Sequence, residues 1–340
     1  MKENKRNSVG VKKNYSSLVE DIGELLKAGR KQFYSSANTI LVRTYWQIGK
    51  RIVEFEQGGK EKSVYGSKLL DVLSQDLKSK YGKGFSRTNL VFVRLLYINY
   101  RKSQTLSDQL SWSHYVELLS IEDDLARSFY EKQTLIEKWS VRELRRQINS
   151  ALFQRLALSK DKKGILELSK KGKKIKTEDD IVKDPYVLEF LKIPQSHKYS
   201  EKELEQKLIE NLQLFLLELG KGFAFVARQF RITLDNTHYY VDLVFYNIAL
   251  KCYVLIDLKL GKASHLDVGQ MNLYLNYFKK EEIFAGDSQP IGIILATEKD
   301  NVLVEYALGG ISNKLFVSKY LLYLPDKTLL EEKIKGLLTK

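Results

Sequence analysis

The chain is poor in cysteine and histidine, and this excludes several kinds of site. Cys252 is the single cysteine among 340 residues, so neither an internal disulfide nor a thiolate metal centre is expected. The four histidines do not have the spacing of zinc ligands. No run approaches the roughly 20 apolar residues of a membrane helix, and no apolar segment follows the basic N-terminus as in a secretory signal. We therefore expect a cytoplasmic protein that does not enter a membrane.

Proline is also scarce and unevenly placed. All four prolines lie beyond residue 184, so the first half lacks the strongest helix breaker. Its apolar residues recur at helical spacing, as at Leu41, Tyr45 and Ile48. This pattern predicts an all-α helical domain over residues 15–156, which either binds DNA or forms a homodimer.

The second half has a different pattern. Residues 160–176 hold eight lysines and two acids, and we assign residues 157–199 to a solvated basic linker and an entry segment. A long helix is predicted from the capping pattern at Ser200 to Gly220. Strand patterns follow near 223–234, 238–246, 251–259, 291–296 and 315–323. Residues 200–335 are therefore predicted to form a mixed α/β sheet flanked by helices.

Acidic residues are outnumbered by basic ones. The chain has 56 Lys and Arg against 42 Asp and Glu, a net charge of +14, and a pI of about 9.4. An excess of this size favours a polyanionic partner such as nucleic acid. The alternative is charge that serves only solubility.

Two strongly apolar segments nevertheless carry charged residues. Residues 240–246 and 252–259 are rich in Val, Leu, Tyr and Phe or Ile, so both are predicted to be interior strands. Asp242 lies in the first segment, and Asp257 and Lys259 lie in the second. Because side chains alternate along a strand, Asp257 and Lys259 point to the same side. A buried charge is costly unless it is paired or binds a metal, so the cluster is either an internal ion pair or a site for a divalent cation.

A helical segment follows the lysine. Gln270 and Tyr274 are four residues apart, so they share one helix face. They are either the polar end of an amphipathic helix or groups that contact a phosphate or base beside the acid–lysine strand.

Together these motifs resemble a known family. Asp242, the triplet 257–259 and the Gln270-x-x-x-Tyr274 helix are similar to the core of PD-(D/E)XK nucleases. Longer segments resemble the YhcG-like branch, which joins a helical domain of unknown function to a PD-(D/E)XK domain; they include residues 45–50, 82–90, 110–115, 139–144, 215–229, 242–247 and 269–275. The resemblance covers residues from roughly 15 to 330. One departure is that the family usually has Glu at the position of Asp257.

The resemblance implies a restriction-endonuclease-like fold and a metal-dependent active site. Asp242, Asp257 and the carbonyl of Leu258 would hold Mg²⁺ or Mn²⁺, which prefer oxygen ligands. Lys259 would orient or deprotonate a water molecule or stabilise charge on the phosphate, and Gln270 joins the catalytic set. The family pattern places a third acid on the helix before the first strand. We choose Glu205 as this metal ligand and catalytic residue, with Glu210 and Glu218 as alternatives on the same helix.

Contacts with nucleic acid are predicted in both halves. Residues 67–100 are typical of a helix-turn-helix or of an ordinary αα-hairpin with a basic face. Candidate contacts, chosen for their charge or for their position near the acids, are Lys83, Arg87, Arg94, Arg145, Arg146, Arg228, Gln229 and Tyr274. Arg228 could equally pair with a carboxylate.

The prediction is a metal-dependent endonuclease that acts on nucleic acid, with DNA preferred over RNA. The resemblance also suggests genome defence or recombination. The alternative is a nucleic-acid-binding or assembly module on a nuclease fold, with little turnover.

Overall fold

The structure is a computed structural model that divides the chain into two compact units, Met1–Glu122 and Asp123–Lys340. It describes the backbone of residues 3–57, 68–102, 105–173, 177–194 and 198–339, and their side chains except those at 3–18, 21, 31, 34–35 and 301–304. The predicted helical domain ran to residue 156, so its last helices belong here to the second unit. The assignment of domains stays a prediction.

The first unit is helical, as predicted. Its described helices are α1 (Glu3–Gln57), α2 (Leu69–Tyr81), α3 (Arg87–Asn99) and α4 (Trp112–Leu119). The hydroxyl of Ser86 accepts a hydrogen bond from the backbone amide of Asn89 and so begins α3. Buried Leu90 and Val93 of α3 pack with Ile52 of α1. The α2–turn–α3 arrangement therefore matches the predicted pair of helices.

The second unit begins with four helices that precede its sheet. They are α5 (Asp124–Glu137), α6 (Val141–Asn149), α7 (Leu152–Ala157) and α8 (Lys162–Lys171). The lysine-rich segment differs from the predicted solvated linker, because Ile165 and Leu168 of α8 are buried between its lysines. Residues 174–176 and 195–197 of the predicted linker lie outside the described residues.

A six-stranded mixed sheet forms the centre of the second unit. Its strands are β1 (Tyr186–Val187), β2 (Phe223–Leu234), β3 (Thr237–Asn247), β4 (Cys252–Lys262), β5 (Ile291–Glu298) and β6 (Lys314–Leu321). Their order in the sheet is β1-β6-β5-β4-β3-β2. The pairs from β1 to β4 are parallel, and β3 is antiparallel to both β4 and β2. The two acid-bearing strands, β3 and β4, are thus interior, as predicted.

Helices cover both faces of this sheet, which confirms the predicted fold class. They are α9 (Glu201–Glu210), α10 (Leu212–Leu219), α11 (His265–Glu281), α12 (Asn301–Leu308) and α13 (Lys327–Thr339). Leu204 and Phe215, from α9 and α10, pack with Phe245 on one face, and Met271 of α11 packs with Val244 on the other.

The helix predicted over residues 200–220 is two helices. It breaks at Asn211, whose side-chain amide donates to the carbonyl of Lys207 over 2.9 Å. This is the competition with the helical backbone that Asn side chains offer. None of the described helices is both long and apolar enough to cross a membrane.

Candidate active site

The two acidic strand residues meet where β3 and β4 stop pairing. Regular pairing runs from Asn247–Cys252 to Leu243–Ile256 and ends one position before Asp242 and Asp257. Beyond that point, Oδ2 of Asp242 accepts a hydrogen bond from the amide of Leu258 over 2.8 Å. The carboxylate thus takes the place of a strand partner, and this brings Asp242 beside Asp257.

Asp257 and Lys259 point to the same side of β4, as the alternation of side chains predicted. Nζ of Lys259 lies 2.9 Å from Oδ2 of Asp257, and Asp257 is 3% exposed. Apart from this ion pair, no hydrogen-bond partner for that buried oxygen exists among the described residues. The site therefore holds an acceptor with unused capacity, next to one fixed cation.

The charges of this group are incompletely compensated. Burial, and then the neighbouring Asp257, raise the pKa of Asp242 well above its usual range. Burial also raises the pKa of Asp257, although Lys259 opposes the shift. Burial alone would lower the pKa of Lys259, but its contact with Asp257 outweighs burial and raises that pKa. The ammonium is therefore always charged near neutral pH, and the two carboxylates repel each other.

Glu205 is the third acid at this position. It lies on α9, is 3% exposed, and pairs through Oε1 with Nε of Arg228. Nε2 of Gln229 donates to Oε2 of Glu205 over 2.6 Å and to Oδ1 of Asp242 over 2.9 Å. Glu205 is thus connected to Asp242 through one amide group.

The two alternative acids lie elsewhere. Glu210 is exposed and accepts a hydrogen bond from Gln206. Glu218 is fully buried and is paired with Arg146 and Arg155. The geometry thus favours Glu205, although its role stays a prediction.

Gln229 has an unusual backbone conformation. Its φ is +49°, in the left-handed region that residues other than glycine rarely adopt. It lies opposite Asp242 on β2, shortly after a register shift between Phe225 and Ala227. A conformation of this kind costs of order 1–3 kcal/mol and persists only where the surroundings enforce it. At Gln229 the side chain is fixed by its hydrogen bonds to Glu205 and Asp242.

Two acids near Lys259 were missed by the sequence analysis. Oδ1 of Asp267 lies 3.8 Å from Nζ of Lys259, and Oε2 of Glu201 lies 4.0 Å from it. Glu201 also accepts a hydrogen bond from the amide of Leu260 over 2.9 Å. Asp267 forms a capping box with Ser264 at the start of α11. The Ser-x-x-Asp spacing in the sequence was the available signal for it.

Comparisons with known proteins agree on one family. Residues 21–155 match the family model described as the DUF1016 N-terminal domain, and residues 179–335 match the YhcG PDDEXK nuclease domain. The Escherichia coli (strain K12) protein named "Putative nuclease YhcG" is 38% identical over 359 aligned positions, which cover 96% of this chain and 95% of that protein. This chain belongs to the YhcG family. The predicted family is thereby confirmed.

Solved structures are more distant relatives of this YhcG-family chain. A repair endonuclease from Pyrococcus abyssi is 23% identical, with a TM-score of 0.27, over 39% of this chain and 50% of that one. An EndoMS–dsDNA2 complex is 18% identical, with a TM-score of 0.26, again over 39% and 50%. The chain thus spans about half the length of each, and these two likenesses add nothing to the family assignment.

Gln270 and Tyr274 of α11 pack and hydrogen-bond within the YhcG domain. Tyr274 is fully buried, and its hydroxyl donates to the carbonyl of Tyr240 over 3.1 Å. The amide nitrogen of Gln270 donates to the same hydroxyl. The predicted shared helix face is confirmed, but the prediction that Tyr274 contacts nucleic acid is wrong for this structure, because its ring and hydroxyl are enclosed. Gln270 is half-buried, and its side-chain amide is already hydrogen-bonded to Tyr274.

The basic candidates differ in how far they are already paired. Lys83 is exposed. Arg87 is paired with Asp71 over 2.8 Å, and Arg94 donates through Nε to both carboxylate oxygens of Glu56 over 2.7 and 2.9 Å. Arg94 is therefore fixed by an ion pair within the first unit, unlike an arginine on a solvated basic face.

Neighbouring arginines of α6 have opposite surroundings. Arg145 is exposed, whereas the side chain of Arg146 is 11% exposed and lies between Glu189 and Glu218, at 3.1 Å from each. The prediction of Arg146 as a phosphate contact is therefore corrected: buried acids already take up its charge. Arg228 pairs with Glu205, which was the alternative left open for it.

The donor set fits a hard divalent cation only in part. Asp242 and Asp257 are adjacent acids with raised pKa values, and the buried Oδ2 of Asp257 has spare acceptor capacity. The amide of Leu258 faces Asp242. Among the described residues, however, no group of three His, Cys, Asp or Glu side chains is arranged to hold a metal ion, because Glu205 is turned to Arg228 and Gln229.

Proposed function

We propose that this YhcG-family chain is a metal-dependent endonuclease that hydrolyses phosphodiester bonds in DNA. The observation that carries the proposal is the meeting of Asp242, Asp257 and Lys259 at the end of the β3–β4 pairing, inside the segment that matches a nuclease domain. Buried acids whose pKa values are raised by burial and by a neighbouring charge mark a candidate functional site.

The residues present define the roles in the reaction. Asp242, Asp257, Glu205 and the carbonyl of Leu258 would hold Mg²⁺ or Mn²⁺. When bound, the ion lowers the pKa of a water ligand and neutralises charge on the scissile phosphate.

Lys259 supplies a fixed positive charge beside Asp257. Its proposed roles are to orient or deprotonate the attacking water and to stabilise negative charge on the phosphate.

The net charge of +14 supports a nucleic-acid partner. Exposed Lys83 and Arg145, with Arg87 at the turn between α2 and α3, are the proposed phosphate contacts outside the active site. A role in genome defence or recombination, a cytoplasmic location and a homodimeric form are parts of the same proposal that rest on the sequence alone.

The test is a cleavage assay with the full chain on duplex, branched and single-stranded DNA and on RNA, in Mg²⁺, Mn²⁺ or EDTA. We expect cleavage of DNA with either metal and none in EDTA. Asp257→Asn and Lys259→Ala should each lower the cleavage rate about a thousandfold, while DNA affinity changes little, because affinity comes from many phosphate contacts.

Lys262→Ala is the matched control, since Lys262 lies on the same strand and is exposed. It should cleave like the wild type. Intact cleavage by Lys259→Ala would remove that residue from the active site.

A second function has one observation in its favour. The described residues lack a preformed group of three metal-binding side chains, as expected for a nucleic-acid-binding module with little turnover. Retained DNA binding with no cleavage of any substrate in either metal would establish that function instead.

A further inference from the structure

Every oxygen of two of the three acids at the site is already engaged by donors of the protein. Glu205 accepts from Arg228 through Oε1 and from Gln229 through Oε2. Asp242 accepts from Gln229 through Oδ1 and from the amide of Leu258 through Oδ2. A cation that enters this arrangement would compete with these donors for all four oxygens.

The two side-chain donors, Arg228 and Gln229, are more exposed than the Glu205 carboxylate that they contact. Gln229 is exposed and the side chain of Arg228 is 31% exposed, whereas Glu205 is 3% exposed. Arg228 also donates through Nη1 to the exposed Gln206 over 2.7 Å. A polyanion that approaches Glu205 would therefore meet the guanidinium and the amide before it meets the carboxylate of Glu205.

The two donors differ in what they prefer to bind. A guanidinium forms charge-assisted, bidentate hydrogen bonds with phosphate as readily as with carboxylate. Gln229 has a φ of +49° and two carboxylate contacts, and a strained residue of this kind is a candidate for movement once those contacts are lost. Transfer of Arg228 to a phosphate would free Oε1 of Glu205 and would leave Gln229 as the side-chain donor on Oε2 of Glu205.

We propose that Arg228 and Gln229 form a latch that keeps Glu205 and Asp242 occupied until a nucleic-acid phosphate takes over Arg228. The two residues are positioning residues: they act on the acids and leave the chemistry to them. The inference rests on the proposed function and adds to it that nucleic acid completes the metal site. Metal and DNA then raise each other's affinity by the same factor, as thermodynamic linkage requires.

The experiment measures Mn²⁺ uptake by the full chain from the loss of the free-ion paramagnetic resonance signal. Titrations are done without DNA and with a duplex whose phosphorothioate linkages slow cleavage, and the duplex alone is the reference. The wild type should bind Mn²⁺ about tenfold more tightly with the duplex than without it, within the usual range of coupling between sites.

Variants test which residues cause the coupling. Without DNA, Arg228→Gln and Gln229→Leu should each bind Mn²⁺ about tenfold more tightly than the wild type, and the duplex should add little further. Arg231→Gln is the matched control, because Arg231 is an exposed cation on the same strand. It should behave like the wild type in both titrations.

Several results would overturn the latch. One is a wild-type Mn²⁺ affinity that the duplex does not change; this comparison needs no variant and so does not depend on how the variants fold. Another is weaker Mn²⁺ binding by Gln229→Leu, which would show that Gln229 helps to assemble the ligands. Mn²⁺ uptake and DNA cleavage without any coupling would remove the latch and leave the proposed function intact. Absence of both uptake and cleavage in every variant would remove both proposals.

Discussion

Two buried acidic sites in the second unit differ in the charges that surround them. Glu218 is fully buried, and its carboxylate is paired with Arg155 at 2.8 Å and with Arg146 at 3.1 Å. It also accepts a hydrogen bond from the amide of Val187 over 3.0 Å. At the candidate active site, Asp257 is paired with Lys259, whereas its neighbour Asp242 accepts hydrogen bonds from uncharged donors.

The pKa values of the two sites move in opposite directions for this reason. Burial alone would raise both. At Glu218 the cations, Arg155 first, outweigh burial and lower the pKa to about 2. At Asp242 the second acid adds to burial, and the pKa rises. Burial therefore does not set the direction of the pKa shift. The sign of the neighbouring charge does, because cations favour the ionised carboxylate and a second acid disfavours it.

The largest expected effect is a difference in the free energy of unfolding when the acid of each site is neutralised. Glu218→Gln leaves Arg155 buried without its anion and leaves Arg146 with Glu189 alone, so the free energy of unfolding should fall by about 3–5 kcal/mol. Asp242→Asn removes a repulsion and should cost little or stabilise the fold. Urea unfolding of the full chain in EDTA measures both.

Glu210→Gln is the control, since Glu210 is exposed and its loss should change stability by about 0.5 kcal/mol or less. Equal losses for Glu218→Gln and Asp242→Asn would show that the two sites do not differ in the way described.

The pH dependence of stability should sharpen the same comparison. The folded pKa of Glu218, about 2, lies below its ordinary value of 4.5, so its contribution is present above pH 4.5 and is lost as the pH falls towards 2. The folded pKa of Asp242 lies above its ordinary 3.8. The folded state then binds the extra proton, and stability falls as the pH rises from about 4 towards neutrality.

Urea unfolding midpoints over a pH series in EDTA measure how stability depends on pH. Glu218→Gln should remove the loss of stability that Glu218 causes as the pH falls below 4.5. Asp242→Asn should flatten the fall in stability as the pH rises above about 4. An unchanged slope in either variant would contradict the pKa shift assigned to that residue.

Much of the fold was predictable because it depends on neighbours along the chain. The period of two in β4 placed Asp257 and Lys259 on one side, and the capping pattern at Ser200 marked a real helix start. The interior position of β3 and β4 followed from their apolar composition. Each of these inferences used residues only a few positions apart.

The unpredicted features depend on contacts between distant segments. Arg146 looked like a surface cation beside Arg145, yet it meets Glu218, which is 72 residues away in sequence. The bridge from Glu205 through Gln229 to Asp242 requires α9 to lie over β2 and requires a positive φ at Gln229. No local pattern indicates either, because glutamine seldom adopts that conformation.

The smallest expected effect concerns the neighbouring arginines of α6. Arg145 is exposed and Arg146 is buried against acids, so Arg145→Gln and Arg146→Gln remove the same charge from adjacent positions. If Arg145 contacts one phosphate, its loss should reduce the log–log slope of DNA affinity against salt by about 0.9. Arg146→Gln should leave the slope unchanged and lower the free energy of unfolding. Fluorescence anisotropy with a labelled duplex over a KCl series in EDTA measures the slopes. A reduced slope for Arg146→Gln together with an unchanged one for Arg145→Gln would reverse the assignment, and would mean that the ion pairs of Arg146 open when DNA binds.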